Sequence, residues 1–211
     1  MKRIIGLVVL AALLTTSTAW SQNKKLVIGS HHDIGGAGCK SCHASHDGAK
    51  ATSTTGLPSS GKILLWDRNF PTTTYGIYYS PSMQTKGITA VEVGGTTPLA
   101  TDARMNSVLC MSCHDGVTST SVLPATDPTA IGADGYGLTN DHPVNVAHDS
   151  TKDVNLATTT AVTAGGLVLY GPAGTVPTVQ CSSCHTSHDP TNGNFLRKAN
   201  TGSAICLTCH L

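Results

Sequence analysis

The chain has 211 residues and a formal net charge of +1, with 13 Lys and Arg, 12 Asp and Glu, and 10 His. Only 4% of residues are aromatic and 12% charged, while 22 Gly and 10 Pro break up Ser- and Thr-rich stretches. That balance supplies no basic face for nucleic acid and few large apolar side chains for a conventional core.

At the start, Lys2 and Arg3 precede the apolar run IIGLVVLAALL and the small-residue stretch TTSTAWS. Residues 1–21 read as a secretory signal peptide, because the run is too short to span a bilayer. Its removal takes two cations and leaves a formal charge of −1. Residues 22–211 are then one exported unit with no transmembrane segment.

The cysteines organise that unit. All eight fall into pairs followed at once by histidine: Cys39, Cys42 and His43; Cys110, Cys113 and His114; Cys181, Cys184 and His185; Cys206, Cys209 and His210. Cys-x-x-Cys-His is the attachment pattern of c-type haem, in which two thiols bond the porphyrin and the histidine reaches the iron. Half a zinc site or a disulfide framework are the competing readings. Four copies of the whole pentapeptide with no cysteine left over favour four haem c groups, whose macrocycles would form the core.

The motifs alternate. The first and third read CxxCHxSHD, the second and fourth CxxCHDG and CxxCHL. The unit is thus a first haem pair over 31–120, a loop-rich connector over 121–180 and a second pair over 181–211. Within the first pair, KILLW and TYGIYY suggest a strand-like insertion, a small hairpin near 62–80. GGLVLYG in the connector predicts one short strand, and the remainder is expected as coil with short helices at the haem sites.

Four histidines, His43, His114, His185 and His210, are proximal ligands by position. His188 shares a helical face with His185 and cannot reach the opposite side of the same ring, so it serves another haem; His46 stands likewise to His43. Six histidines remain for four distal places. His46, His188, His142 and His32 are the distal candidates, with His31 and His148 in reserve. A carboxylate follows three of the four distal candidates, His32, His46 and His188, at Asp33, Asp47 and Asp189, a position from which it can act behind the ligating ring. Met83, Met105 and Met111 are alternative axial ligands, although Met105 and Met111 suit soft packing against the haems better.

The order HHD, CKSCHASHD, KILLWDR, TTYGIYYS, CMSCHDG, DHPVNV, CSSCHTSHDP and NFLRKANTGSAICLTCH resembles the OmcE-type tetrahaem cytochromes, which polymerise into extracellular filaments. The resemblance implies a multihaem cytochrome fold and electron transfer along a filament to external acceptors. It also implies copies of itself and redox proteins as partners, with His31 or His32 completing a haem of the neighbouring subunit. Because every iron can be saturated by histidine, an electron carrier is expected rather than an enzyme. A monomeric periplasmic carrier between a quinol oxidase and a terminal reductase is the alternative.

Overall fold

The computed structural model describes residues 24–44, 65–95, 102–124, 126–127, 130–131 and 137–211. The signal sequence, His46, Asp47 and residues 62–64 of the expected hairpin lie outside them. Most of the described chain is coil, with short helices and one two-stranded sheet. No described helix is long and apolar enough to cross a membrane.

Short helices form where the Cys-x-x-Cys spacing needs a single turn. The first motif is a 3-10 turn over Gly38–Ser41. Pro81–Thr85 forms α1, begun by a proline that supplies the helical φ and lacks only a donor the first turn would not use. The second motif ends the longest helix, α2, Met105–His114. Met105, Val108 and Met111 recur every three residues on it and are buried as one face, leaving the opposite side for Cys110 and Cys113. Thr159–Ala164 is α3, whose N-cap Thr158 accepts from Ala161 N at 3.2 Å. The third and fourth motifs are single turns, α4 (Cys181–Cys184) and α5 (Cys206–Cys209).

The sheet pairs β1 (Val146–Ala147) with β2 (Thr178–Val179), antiparallel, with Val146 opposite Val179. Single bridges add Ala90 beside Val146 and Tyr170 beside Thr178. The expected strand at GGLVLYG is therefore one bridge at Tyr170. Its neighbour Val168 instead donates to Ser183 O in the third motif.

No strand forms among the described residues of 62–80. Thr73 O accepts from Gly95 N at 2.9 Å, Tyr75 N donates to Glu92 Oε1 at 3.1 Å, and Tyr75 O accepts from Leu138 N at 3.1 Å. The segment's polar groups are thus satisfied by two distant loops rather than by one another, which removes the reason for a hairpin. At Gly137, φ is 64° and a Cβ would overlap the Tyr75 carbonyl, so this approach requires glycine.

Apolar side chains gather in three small clusters instead of one core. The largest joins Trp66, Phe70, Tyr75, Val93 and Leu138 to the buried face of α2, and Cys42 packs against it. The second holds Ala157, Val162, Leu167 and Ile205, with Cys184 and Cys209 against it. The third, Ile88, Ala90 and Val146, backs the sheet with Met83 alongside. Met105 and Met111 are buried in the first cluster, on the side of α2 away from Cys110 and Cys113.

Candidate haem sites

The motifs share one local design. In three of them the histidine N–H returns to the carbonyl of the first cysteine: His43 to Cys39 at 2.9 Å, His185 to Cys181 at 3.2 Å and His210 to Cys206 at 2.9 Å. One turn thereby carries two thiols and an imidazole, and the chain then straightens, with His185 and His210 extended. All eight cysteines are free thiols. Burial pushes the Cys42 and Cys184 thiols up to about 11, so both stay protonated at neutral pH. Among the described residues no three His, Cys, Asp or Glu side chains converge as a metal cage.

The first and third motifs repeat each other beyond the pentapeptide. Ala44 N donates to Leu65 O at 2.8 Å, and Thr186 N donates to Phe195 O at 2.7 Å. Asp67 N donates to Cys42 O and Arg197 N to Cys184 O, both at 2.8 Å. His43 bridges Trp66 as His185 bridges Leu196. Leu65 and Phe195 both hold φ at 55°, an uncommon conformation for side chains of that size. Each return segment also carries an arginine to its motif, Arg68 Nε to Ser41 O at 2.6 Å and Arg197 Nε to Ser182 O at 2.7 Å. The first and third motifs with their return segments are thus one duplicated unit, in which WDR of ILLWDR and LRK of NFLRK occupy the same place.

Three motif histidines face a second histidine. Ring centroids are 6.2 Å apart for His43 and His188, 6.2 Å for His114 and His32, and 6.3 Å for His210 and His142. Two imidazole nitrogens each about 2 Å from a shared metal, with ring centres about 1 Å further out, require a separation of roughly 6 Å. The spacing therefore fits one iron between each pair. The fit extends to tautomers: His32 Nδ1 donates to Ser187 O at 3.1 Å, His142 Nδ1 to Pro143 O at 3.1 Å and His185 Nδ1 to Asn194 O at 2.9 Å. A proton held on Nδ1 leaves Nε2 as the lone-pair nitrogen. Desolvation holds the His32 and His142 rings below the ordinary histidine range, which keeps them neutral as ligands must be.

The remaining histidines are placed differently. His148 is buried and its Nε2 donates to Ala157 O at 2.7 Å, which leaves Nδ1 as its lone-pair nitrogen. His31 is exposed.

The aspartates do not follow the expectation. Asp33 accepts from Gly29 N at 2.7 Å and Gly38 N at 2.6 Å, and Asp189 from Thr191 N at 2.9 Å. These carboxylates close the loops that carry the imidazoles, and the His32 ring is held by the Ser187 carbonyl. A carbonyl acceptor leaves no trace in side-chain identity, which is why residue types alone suggested the wrong partner. Phe195, stacked on His32 at 4.0 Å, and Trp66, edge-on to His43 at 5.9 Å, were likewise unmarked as ring neighbours.

None of the curated proteins matches this sequence. Residues 174–211 match the family model described as the doubled CXXCH motif. That stretch holds the third and fourth motifs, and it indicates covalently bound haem c in the manner of multihaem c-type cytochromes.

Proposed function

We propose that this chain transfers electrons through four covalently bound haem c groups, each with its iron between two histidines. The observation that carries the reading is the set of three imidazole pairs at 6.2–6.3 Å, each joining a Cys-x-x-Cys-His histidine to one from elsewhere in the chain. His43, His114, His185 and His210 are the proximal ligands, and His188, His32 and His142 the distal ligands of the first, second and fourth irons. His46 matches His188 in the duplicated unit, which makes it the counterpart for His185. When bound, haem supplies a ferric–ferrous couple, and paired histidines favour a lower potential than a His/Met pair.

In this reading the protein's own part is to hold ligands still and exclude competing ones. The Nδ1 bonds fix ring orientation, and saturated irons leave no place for substrate, so the chain is a carrier rather than an enzyme. Mass spectrometry of the signal-cleaved protein should give four haems, with low-spin spectra and no carbon monoxide binding after reduction at neutral pH. Three or fewer haems, or a carbon monoxide complex, would overturn it.

The assembly we propose is an extracellular filament of identical subunits, supported by the likeness of the connecting segments to OmcE-type cytochromes. His32 faces His114 of its own chain, and with His188, His142 and His46 opposite the other motif histidines no iron is left for a histidine of a neighbouring subunit, so this filament needs no bridging ligand and His31 is a surface residue. Electron microscopy of the haem-loaded protein tests the filament: ordered fibres are expected from the wild type and from His31→Ala alike. Dispersed particles at high concentration would favour the monomeric periplasmic carrier.

A further inference from the structure

Trp66 carries a polar group that the packing around it does not use. The residue is 9% exposed and sits in the largest apolar cluster, and among the described residues its Nε1–H is buried without a hydrogen-bond partner. A buried donor left unpaired costs free energy, so folded proteins supply an acceptor from the chain, from water or from a bound group. Water is poorly served here. The side chains that share the cluster are apolar apart from Tyr75, whose hydroxyl donates to Asp115 Oδ2 at 2.9 Å, and a buried water needs two or more polar partners.

The duplication shows that the fold itself does not ask for an indole. Leu196 stands in the third motif where Trp66 stands in the first, each in an antiparallel bridge to its motif histidine, and Leu196 packs into its own cluster with no donor to satisfy. What distinguishes Trp66 is therefore its N–H and its larger ring. That ring lies edge-on to His43, with centroids 5.9 Å apart and planes 85° apart. Cys42, an attachment thiol of the same motif, packs against the same cluster. Arg68, two residues further on, brings a permanent positive charge to the motif through Nε to Ser41 O at 2.6 Å, which favours an anionic acceptor there.

A haem attached at Cys39 and Cys42 offers one kind of strong acceptor. Its ring nitrogens are committed to iron and its vinyl groups to the thiols, which leaves the two propionate carboxylates. We propose that the Trp66 Nε1–H donates to a propionate of the first motif's haem, which makes Trp66 a cofactor-binding residue that the third motif lacks. The proposal rests on the four-haem reading above. An indole only donates and carries no charge, so the bond orients the carboxylate and disperses part of its negative charge without neutralising it. Less negative charge near the iron raises that haem's potential.

The test uses the haem-loaded, signal-cleaved protein carrying Trp20→Phe, in which Trp66 is the only tryptophan. Tryptophan is supplied with an NMR-active nitrogen isotope and the protein is fully reduced, since low-spin ferrous haem is diamagnetic. The indole proton should exchange slowly with solvent and show nuclear Overhauser cross-peaks to the propionate methylene protons of the first motif's haem. A fast-exchanging indole proton, or one with no cross-peak to those methylenes, overturns the proposal. Adding Trp66→Phe should keep four haems, lower one of the four midpoint potentials and move one propionate bending band of the resonance Raman spectrum to lower frequency. A purely structural role would leave that band in place, so an unmoved band with four haems retained also overturns it. If Trp66→Phe loses haem, the cross-peaks of its parent decide. Four haems by mass spectrometry without the cross-peaks strike this proposal alone, whereas fewer than four with the cross-peaks present strike the four-haem reading and leave this one standing.

Discussion

His43 and His188 stand with ring centres 6.2 Å apart and planes 22° apart, although they belong to different haem motifs. On the proposed reading His188 would lock the first and third motifs together as well as complete an iron. His188→Met should therefore raise the potential of a single haem while leaving four haems attached, since a thioether favours the ferrous state relative to imidazole. A redox titration monitored by absorbance checks this. An unaltered set of potentials would remove His188 from the ligand set.

His148 gives the contrasting case. Its Nε2 bonds to the Ala157 carbonyl at 2.7 Å in a buried site, so the ring holds the segment after β1 against the residue that follows Leu156. His148→Ala should keep every haem low-spin and lower stability by about 1–3 kcal/mol, the cost of a buried acceptor left unpaired. Denaturant unfolding followed at the haem band measures the loss, and a high-spin haem in this variant would restore His148 to the ligand set.

The fourfold Cys-x-x-Cys-His pattern, the alternation of motifs and the short helices were legible in the residues, because covalent attachment and a one-turn spacing leave few choices. Among the described residues the strand expectation at 62–80 meets no strand and that at 165–171 one bridge. Tyr75 satisfies β propensity, but its backbone bonds to the Glu92 carboxylate and to Leu138 N rather than to a strand, and Tyr170 reaches Thr178 of β2 through a single bridge. Propensity describes a residue's own preference, and a ladder needs a second strand in register. The His-Asp adjacency misled in a similar way: Asp33 has two backbone amides within 2.7 Å, and a short carboxylate next to an imidazole reaches its own loop more easily than its neighbour's ring.

Leu65 and Phe195 occupy equivalent places in the two units, with the same positive φ of 55°, yet their substitutions should act oppositely. Leu65 is exposed, so Leu65→Gly relieves backbone strain at little loss of packing and should stabilise by up to about 1 kcal/mol. Phe195 is buried and stacked on His32 at 4.0 Å. Phe195→Gly should cost about 2 kcal/mol or more from lost apolar burial and loosen the His32 ring, visible as a shift in one haem's potential. Thermal unfolding of the two variants side by side separates these outcomes, and a loss of stability in Leu65→Gly would contradict the strain argument.

Acid sensitivity should report on the loop that carries His32. Hydrogen bonds from the Gly29 and Gly38 amides hold the Asp33 carboxyl below its ordinary value of 3.8. For a carboxylate depressed in the folded state, the unfolded chain takes up its proton first as pH falls. The stabilisation is therefore complete above the ordinary value and is lost below it, down through the depressed folded value. Melting temperatures between pH 6 and 2 should decline more gently in Asp33→Asn than in the wild type below pH 4, with the two curves parallel above it. The side-chain amide keeps one acceptor oxygen, so one of the two glycine bonds survives and the neutral-pH loss stays modest. A high-spin fraction should appear over the same acidic window in the wild type, since opening the loop between Gly29 and Gly38 frees His32 from its place opposite His114. If Asp33→Asn melts in parallel with the wild type down to pH 2, the carboxylate does not hold that loop.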